Sequence, residues 1–481
     1  MSLVHQTASQ ILEQLKAETV SPLELLDALE ARIAEVESDV NAIPTLCFDR
    51  AREQASLLME KPVNERGLLC GLPVVIKDLE PVSGVRTTWG SEIFSDFIPE
   101  GSDCMVELIE KNGGIIYGKT NTPEFGAGAN TFNEVFGRTL NPWDTSKSCA
   151  GSSGGSAVAL ATGTAWLATG SDLGGSLRNP ASFCSIVGFR PSPGRVPSGA
   201  ASNGAYPPEL GGMPNSPFGV SGPMARNVRD LALFFDAMTG HHPADTISMP
   251  KEAGSFVDAL DSGWLPKRVA YSPDFGITPV DPEVARITEK AAKQFEQLGA
   301  TVEEAHPDFS DVQEIFQINR AMMFYVGQKK LLENKRDLLK PEVIWNIEKA
   351  RDVSMDDIER VEKLRAAYLK RATDFFDSYD LLLSPATIVS PYPIEQRYVE
   401  SCNDVTFDNY IEWLTIAYAI TITGFPAMSL PAGFTDHSLP LPVGLQICAG
   451  PRAEKNLLCA AAKMEEVLQI APGVPIEPRH S

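Results

Sequence analysis

What these 481 residues lack narrows the field before any motif is sought. No run of 18 apolar residues occurs. The longest uncharged stretches, 148–171 and 414–435, are broken by Gly, Ser, Thr or Pro, so no membrane-spanning helix is expected. Basic residues are outnumbered, 41 against 63 acidic, and a formal charge of -22 repels phosphate backbones and anionic lipid. Neither nucleic acid nor a membrane surface is therefore an expected partner. The eight Cys (47, 70, 104, 149, 184, 402, 448, 459) show no C-x-x-C spacing, which argues for reduced, packed thiols and against a disulfide framework or structural zinc. The N-terminus reaches Glu13 before its first Lys, Lys16, and has no apolar core segment of a signal peptide. A cytoplasmic protein is expected. Histidine is scarce, at 5, 241, 242, 306, 437 and 480 only, and no internal repeat is found.

What is present is average for a globular protein: 43% hydrophobic and 22% charged residues exclude disorder and fibrous repeats. At roughly 150 residues per domain the length allows about three domains or one large α/β unit. Ser21-Pro22-Leu23-Glu24 is a capping box with Pro at the first helical position, and Leu25, Leu29, Ile33 and Val36 follow at helical spacing, which predicts a helix over 22–37. Two segments read as a helix ending at Gly and passing into a strand: 103–112 before Ile115-Ile116-Tyr117, and 281–298 before Thr301-Val302. With the short apolar runs at 74–76, 268–271 and 381–383 this alternation predicts an α/β fold with a mixed or parallel sheet covered by helices. A charge-rich helical excursion is expected over about 310–376, and 191–223, dense in Pro and Gly, reads as an ordered surface path.

Three motifs compete. Residues 113–120, GGIIYGKT, fit the phosphate-loop pattern G-x-x-x-x-G-K-[ST], but their middle is a strand in character and Pro123 blocks the helix that must follow. Residues 151–155, GSSGG, fit G-x-S-x-G with Ser153 as nucleophile; His242, His306 or His437 would have to serve as base, yet the segment before the turn is polar where a hydrophobic strand is required. The third constellation joins Lys77 at the end of GLPVVIKDL, AGSSGGS at 150–156 and SDLGGSLRNPASF at 171–183. Lys77 ends a continuous apolar strand, where desolvation lowers its pKa and makes a neutral amine available as a base. The alternative is an exposed Lys77–Asp78 ion pair. Gly174-Gly175-Ser176 sets a hydroxyl beside unobstructed backbone N–H groups, as an oxyanion hole requires, or else makes a tight turn that caps a helix.

These residues resemble the amidase signature family, serine hydrolases with a Ser-Ser-Lys set. The likeness runs continuously from Gly71 to about Arg195 and returns in GFPAMSLPAGF at 424–434 and LPVGLQI at 441–447. The spacings, 75 residues from Lys77 to Ser152 and 24 from Ser152 to Ser176, agree with it. Ala150 departs from the Gly usual before GSSGG, which touches local loop geometry only. The resemblance implies one large α/β/α domain over 1–481, with N-terminal helices at about 7–60, a signature core at about 68–230, and a C-terminal return at about 380–470. It also implies Ser176 as nucleophile, Ser152 as the bridging serine after a cis peptide, and Lys77 as base. Leu173, Gly174, Gly175 and Ser176 would hold the carbonyl oxygen, Gly126 and Gly128 would stand in the acyl-side wall, and Ser153, Asp172 and Arg178 would support the site. No metal or organic cofactor is implied, the partner is a small-molecule amide, and homodimer formation is left open. The same scaffold hosts stand-alone amidases, carbamate and cyclic-amide hydrolases, and the glutamine-hydrolysing subunit of a tRNA-dependent amidotransferase. The stand-alone amidase is favoured, because residues 190–230 carry no clear glutamine signal and the excursion at 310–376 suits a private substrate pocket.

Overall fold

The computed structural model describes residues 2–199, 204–210, 217–436, 438–469 and 473–480; His437 lies outside them. Eleven strands make one mixed sheet. In chain order they are β1 (Thr45–Leu46), β2 (Pro73–Lys77), β3 (Ile115–Thr120), β4 (Leu167–Asp172), β5 (Val187–Arg190), β6 (Val220–Ala225), β7 (Arg268–Tyr271), β8 (Thr301–Glu304), β9 (Leu381–Pro385), β10 (Ala427–Phe434) and β11 (Pro442–Ala449). Across the sheet the order is β1-β3-β2-β4-β6-β5-β10-β11-β9-β7-β8. β2 runs parallel to β3 and β4, and β7 parallel to β8 and β9, while the other pairs are antiparallel. The central strands are buried throughout, as near-continuous apolar runs require when helices cover both faces.

The helices start where capping chemistry places them. Pro22–Val40 begins on a complete Ser21/Glu24 capping box and runs three residues past the expected end, to a left-handed Asn41. Cys104–Lys111 is capped by the Asp103 carboxylate. Pro282–Ala292 is capped by Asp281 but tightens into a 3-10 segment, Lys293–Leu298, before Gly299. The excursion consists of three helices, Val312–Lys335, Pro341–Lys349 and Met355–Phe375. Among the described residues no helix is long and apolar enough to cross a membrane.

One expectation needs correction. The described residues of 191–223 are only in part a surface path: Ser198, Pro208 and Glu209 are exposed, but Ser192, Arg195 and Val196 are buried, and the end of the stretch is β6, between β4 and β5 in the sheet. Gly222-Pro223 reads as a turn in sequence, yet Pro223 pairs with Thr169 inside a strand. This is tolerated because β5 pairs only with Met224 and Ala225, so Pro223 stands beyond that ladder. The phosphate-loop match is a strand, as its sequence character implied: 115–120 is β3 itself. Its lysine, Lys119, is fully buried and donates to Asp78 Oδ1 (3.2 Å), Glu80 O (2.8 Å) and Thr87 Oγ1 (2.9 Å).

Gly113, the first glycine of that match, is required by packing. Its φ is +80°, and a Cβ there would lie 1.8 Å from the Arg66 carbonyl oxygen. Gly113→Ala should therefore destabilise the protein by about 2–4 kcal/mol, the sum of left-handed strain and overpacking. Urea unfolding checks this.

Candidate active site

The topology gathers the predicted residues at one edge of the sheet. β2 and β4 are adjacent and parallel, in register at Val74/Leu167 and Val75/Ala168, so Lys77 at the end of β2 and Asp172 at the end of β4 both lie at the sheet's carboxyl edge. Open α/β sheets bind ligands at such an edge. Between these strands the chain turns through Gly151, Ser152 and Ser153 into the fully buried helix Gly154–Thr162. The glycines of that turn serve close approach: a Cβ on Gly155 would lie 2.4 Å from Asn121 N and 2.6 Å from Ala42 O. The Gly151–Ser152 peptide is cis, and Ala150 before it sits at φ +57°, where a glycine would be unstrained.

Lys77 is fully buried, and its ammonium donates to Ser152 Oγ (2.7 Å), Ser153 Oγ (2.9 Å) and Ser171 Oγ (3.0 Å). Among the described residues no carboxylate hydrogen-bonds it. Asp78, the partner in the ion-pair alternative, turns instead to Lys119 and accepts from the Thr88 N–H and hydroxyl. Burial lowers the Lys77 pKa to about 8, against the attraction of Glu80 and Asp172. The same burial raises Glu80, whose carboxylate lies against Thr169 Oγ1 at 3.4 Å. Ser153, the nucleophile of the G-x-S-x-G reading, has no histidine beside it among the described residues: His241 bonds Ser248, His242 bonds Glu107, His306 bonds Pro307 O and His480 bonds Thr145.

Ser176 stands half-buried in the turn after β4, and Ser153 N–H donates to Ser176 O at 3.2 Å, joining the two serine loops. Its hydroxyl makes no hydrogen bond among the described residues, so Lys77 and Ser152 are linked directly while Ser176 is brought only alongside. The backbone N–H groups of Leu173, Gly174 and Ser176 also have no partner among the described residues. The Gly175 N–H does: it donates to Asp172 Oδ1 (3.1 Å). Asp172 also accepts from Leu177 N–H (3.1 Å) and from Arg178 Nε and Nη2 (3.0 and 2.9 Å). Burial alone would raise its pKa, but Arg178 and Arg190 override that and hold it well below the usual carboxylate range. Opposite, a Cβ on Gly126 would lie 3.3 Å from Ser152 Oγ, and one on Gly128 would lie 3.8 Å from Lys340 Nζ.

Sequence reasoning missed Ser171, Glu80 and Arg190. Ser171 was visible as the first residue of SDLGGS, but its contact with Lys77 depends on the β2/β4 register. Among the described residues no cluster of His, Cys, Asp or Glu could hold a metal ion.

Residues 24–458 match the Amidase family. The chain belongs to that family. It is 33% identical to an acylamidase from Rhodococcus erythropolis over 98% of this chain and 97% of that one. It is also 33% identical to a glutamyl-tRNA(Gln) amidotransferase subunit from Alkaliphilus metalliredigens, over 92% of each. Among solved structures, a bacterial aryl acylamidase of the amidase signature enzymes superposes with a TM-score of 0.86 at 28% identity, covering 98% of this chain and 99% of that one. A 6-aminohexanoate cyclic dimer hydrolase gives 0.85 at 25% identity, covering 99% of each. The amidase fold and an amide-hydrolysing enzyme follow.

Asp172→Asn would leave Arg178 and Arg190 buried without their counter-charge. It should lower stability by about 3–5 kcal/mol, measured by chemical denaturation of the purified variant.

Proposed function

We propose that this amidase hydrolyses carboxylic amides through an acyl-enzyme on Ser176. One observation carries the reading: a lysine sealed from water whose amino group meets three hydroxyls and no carboxylate. As a neutral amine Lys77 has two N–H donors and one lone pair, so one of the three hydroxyls must donate to it. Ser153 Oγ already donates to Ser171 O (3.3 Å), and Ser152 is the nearest of the three. Ser152 is thus the proton's route.

In the reaction Lys77 draws a proton through Ser152 from Ser176 as the Ser176 oxygen attacks the amide carbon. The N–H groups of Leu173, Gly174 and Ser176 receive the negative charge that develops on the carbonyl oxygen. The C–N bond then breaks, Ser152 returns the proton to the leaving nitrogen, and water activated by the same relay cleaves the acyl ester to give acid and free enzyme. Asp172 and Arg178 hold the turn that aims Ser176, Ser153 holds the Lys77 amine, and Gly126 and Gly128 face the bound amide. The relay draws on no metal or organic cofactor.

The similarity to amidotransferase subunits supports a second reading, a glutaminase that works within a complex. A panel of aliphatic, aryl and cyclic amides, carbamates and glutamine, run on the isolated chain, separates the two. Turnover of simple amides by the chain alone supports the stand-alone enzyme.

A serine-directed fluorophosphonate should label wild type at Ser176. Ser176→Ala should abolish labelling and reduce turnover by about 10³-fold or more while the thermal transition stays in place. Labelling at Ser153 instead would return the G-x-S-x-G reading.

The pH profile tests the base. Lys77 must lose its proton to act, so kcat/KM should rise with pH through a limb near about 8. Glu80→Gln removes a negative charge that stabilises the ammonium, and the limb should move toward acid by on the order of one pH unit. Lys77→Arg should be inactive because guanidinium keeps its proton. An active Lys77→Arg enzyme would reduce Lys77 to a structural cation.

A further inference from the structure

Buried arginines in this protein almost all have their charge met. Arg32, Arg66, Arg178, Arg190 and Arg195 each have a carboxylate within 4 Å, and Arg226 is capped by two main-chain oxygens, Val4 O (2.7 Å) and Gln6 O (2.6 Å). Arg320 differs. Only 7% exposed, it donates Nε to Asn346 Oδ1 (3.0 Å) and Nη2 to the Tyr410 hydroxyl (3.0 Å), both neutral, and Nη1 has no partner among the described residues. Its guanidinium lies over the Phe324 ring at 4.6 Å, and the Nη1 edge is not sealed from water, so that edge is open to an incoming anion.

Its position joins that open edge to the candidate active site. Arg320 lies one turn from Phe316 and one turn from Phe324 on the helix Val312–Lys335. Phe316 Cζ is 3.6 Å from where a Cβ on Gly174 would lie, and Phe324 clusters with Trp89 and Ala127, next to Gly126 and Gly128. The guanidinium therefore stands on the stretch of helix that passes from the Gly174 turn to the opposite wall. Nearby carboxylates are committed elsewhere: both oxygens of Glu342 accept from Arg397 (2.9 and 2.7 Å), and Glu124 accepts from the Ser91 hydroxyl and the Lys340 N–H. Lys340 adds a second buried cation beside Gly128, with its amino group on Phe132 O (3.1 Å) and over the Phe132 ring.

We propose that Arg320 selects amide substrates that carry a carboxylate, which would take the free edge of its guanidinium while the amide lies at Ser176. A planar anion of two oxygens suits that fork geometry, and Asn346 and Tyr410 hold the guanidinium plane in place. The inference rests on the acyl-enzyme reading and adds the substrate class.

Two matched pairs test it on the full chain: glutaranilic acid against pentananilide, with the charge on the acyl side, and 4-acetamidobenzoate against acetanilide, with the charge on the leaving side. In one pair the wild type should prefer the carboxylated member by about tenfold or more in kcat/KM, with the difference in KM. Arg320→Gln should bring that ratio to about one, and Arg320→Lys should keep part of it. Should Arg320→Gln fail to fold, protection of wild-type Ser176 from fluorophosphonate by glutarate, absent with dimethyl glutarate, carries the same test. Equal turnover of charged and neutral members in both pairs would overturn the proposal and leave the amidase reading standing. No turnover of any anilide together with no labelling of Ser176 would remove both.

Discussion

The Asp172–Arg178 ion pair is the contact on which the rest of the site depends. The carboxylate gathers the Gly175 and Leu177 N–H groups and the guanidinium of Arg178, and so shapes the turn that carries Ser176. Arg178 then reaches away from it, to Ala417 O (2.8 Å), Thr421 Oγ1 (3.2 Å) and the side-chain oxygen of Gln446 on β11. Arg190 donates to Asp172 O at 2.6 Å from β5. One buried charge pair thereby couples the loop after β4 to segments more than two hundred residues downstream. Because both partners are inaccessible to water, the pair is retained only with every donor and acceptor met, and that requirement stiffens the turn.

The same logic of partner choice poises Lys77. β2 and β3 are in register at Ile76/Lys119 and Lys77/Thr120, so two lysines approach Asp78 from neighbouring strands. Asp78 takes Lys119. Lys77 is left with hydroxyls, which solvate an ammonium less well than a carboxylate does, and burial then lowers its pKa. Glu80 and Asp172 oppose that shift at longer range. A site with Asp78 on Lys77 would hold the same residues and a permanently charged lysine.

How far the sequence reveals this follows from the range of the contacts. Capping boxes, the strand ending at Lys77 and the glycine turns are written within a few residues, and the helices and β2, β3, β7 and β9 lie where local patterns put them. The α/β class followed from their alternation. β6 was hidden because Gly222-Pro223 is a turn signal that only the limited β5 ladder makes acceptable. Ser171 and Glu80 were hidden because their importance lies in distance to Lys77, which a β2/β4 register sets and no local pattern encodes. The family resemblance implied a relay over 77, 152 and 176, whereas the engagement of the Gly175 N–H by Asp172 emerged only from the folded turn.

Ala150 shows how little of the loop geometry depends on residue type once the surroundings fix it. Its φ of +57° is unfavourable for any residue with a Cβ, by about 1 kcal/mol or more. Yet its carbonyl accepts from Thr131 Oγ1 (2.8 Å), its N–H donates to Ser148 Oγ (2.9 Å), and its side chain is buried. Those bonds tie the serine loop to the 126–131 wall on one side and to the segment before it on the other. The strain falls on the residue before Gly151, two positions ahead of Ser152, so replacing the usual glycine also removes backbone freedom in the turn that aims the lysine's partner. An alanine here narrows the unfolded ensemble at this residue as well, which offsets part of the strain.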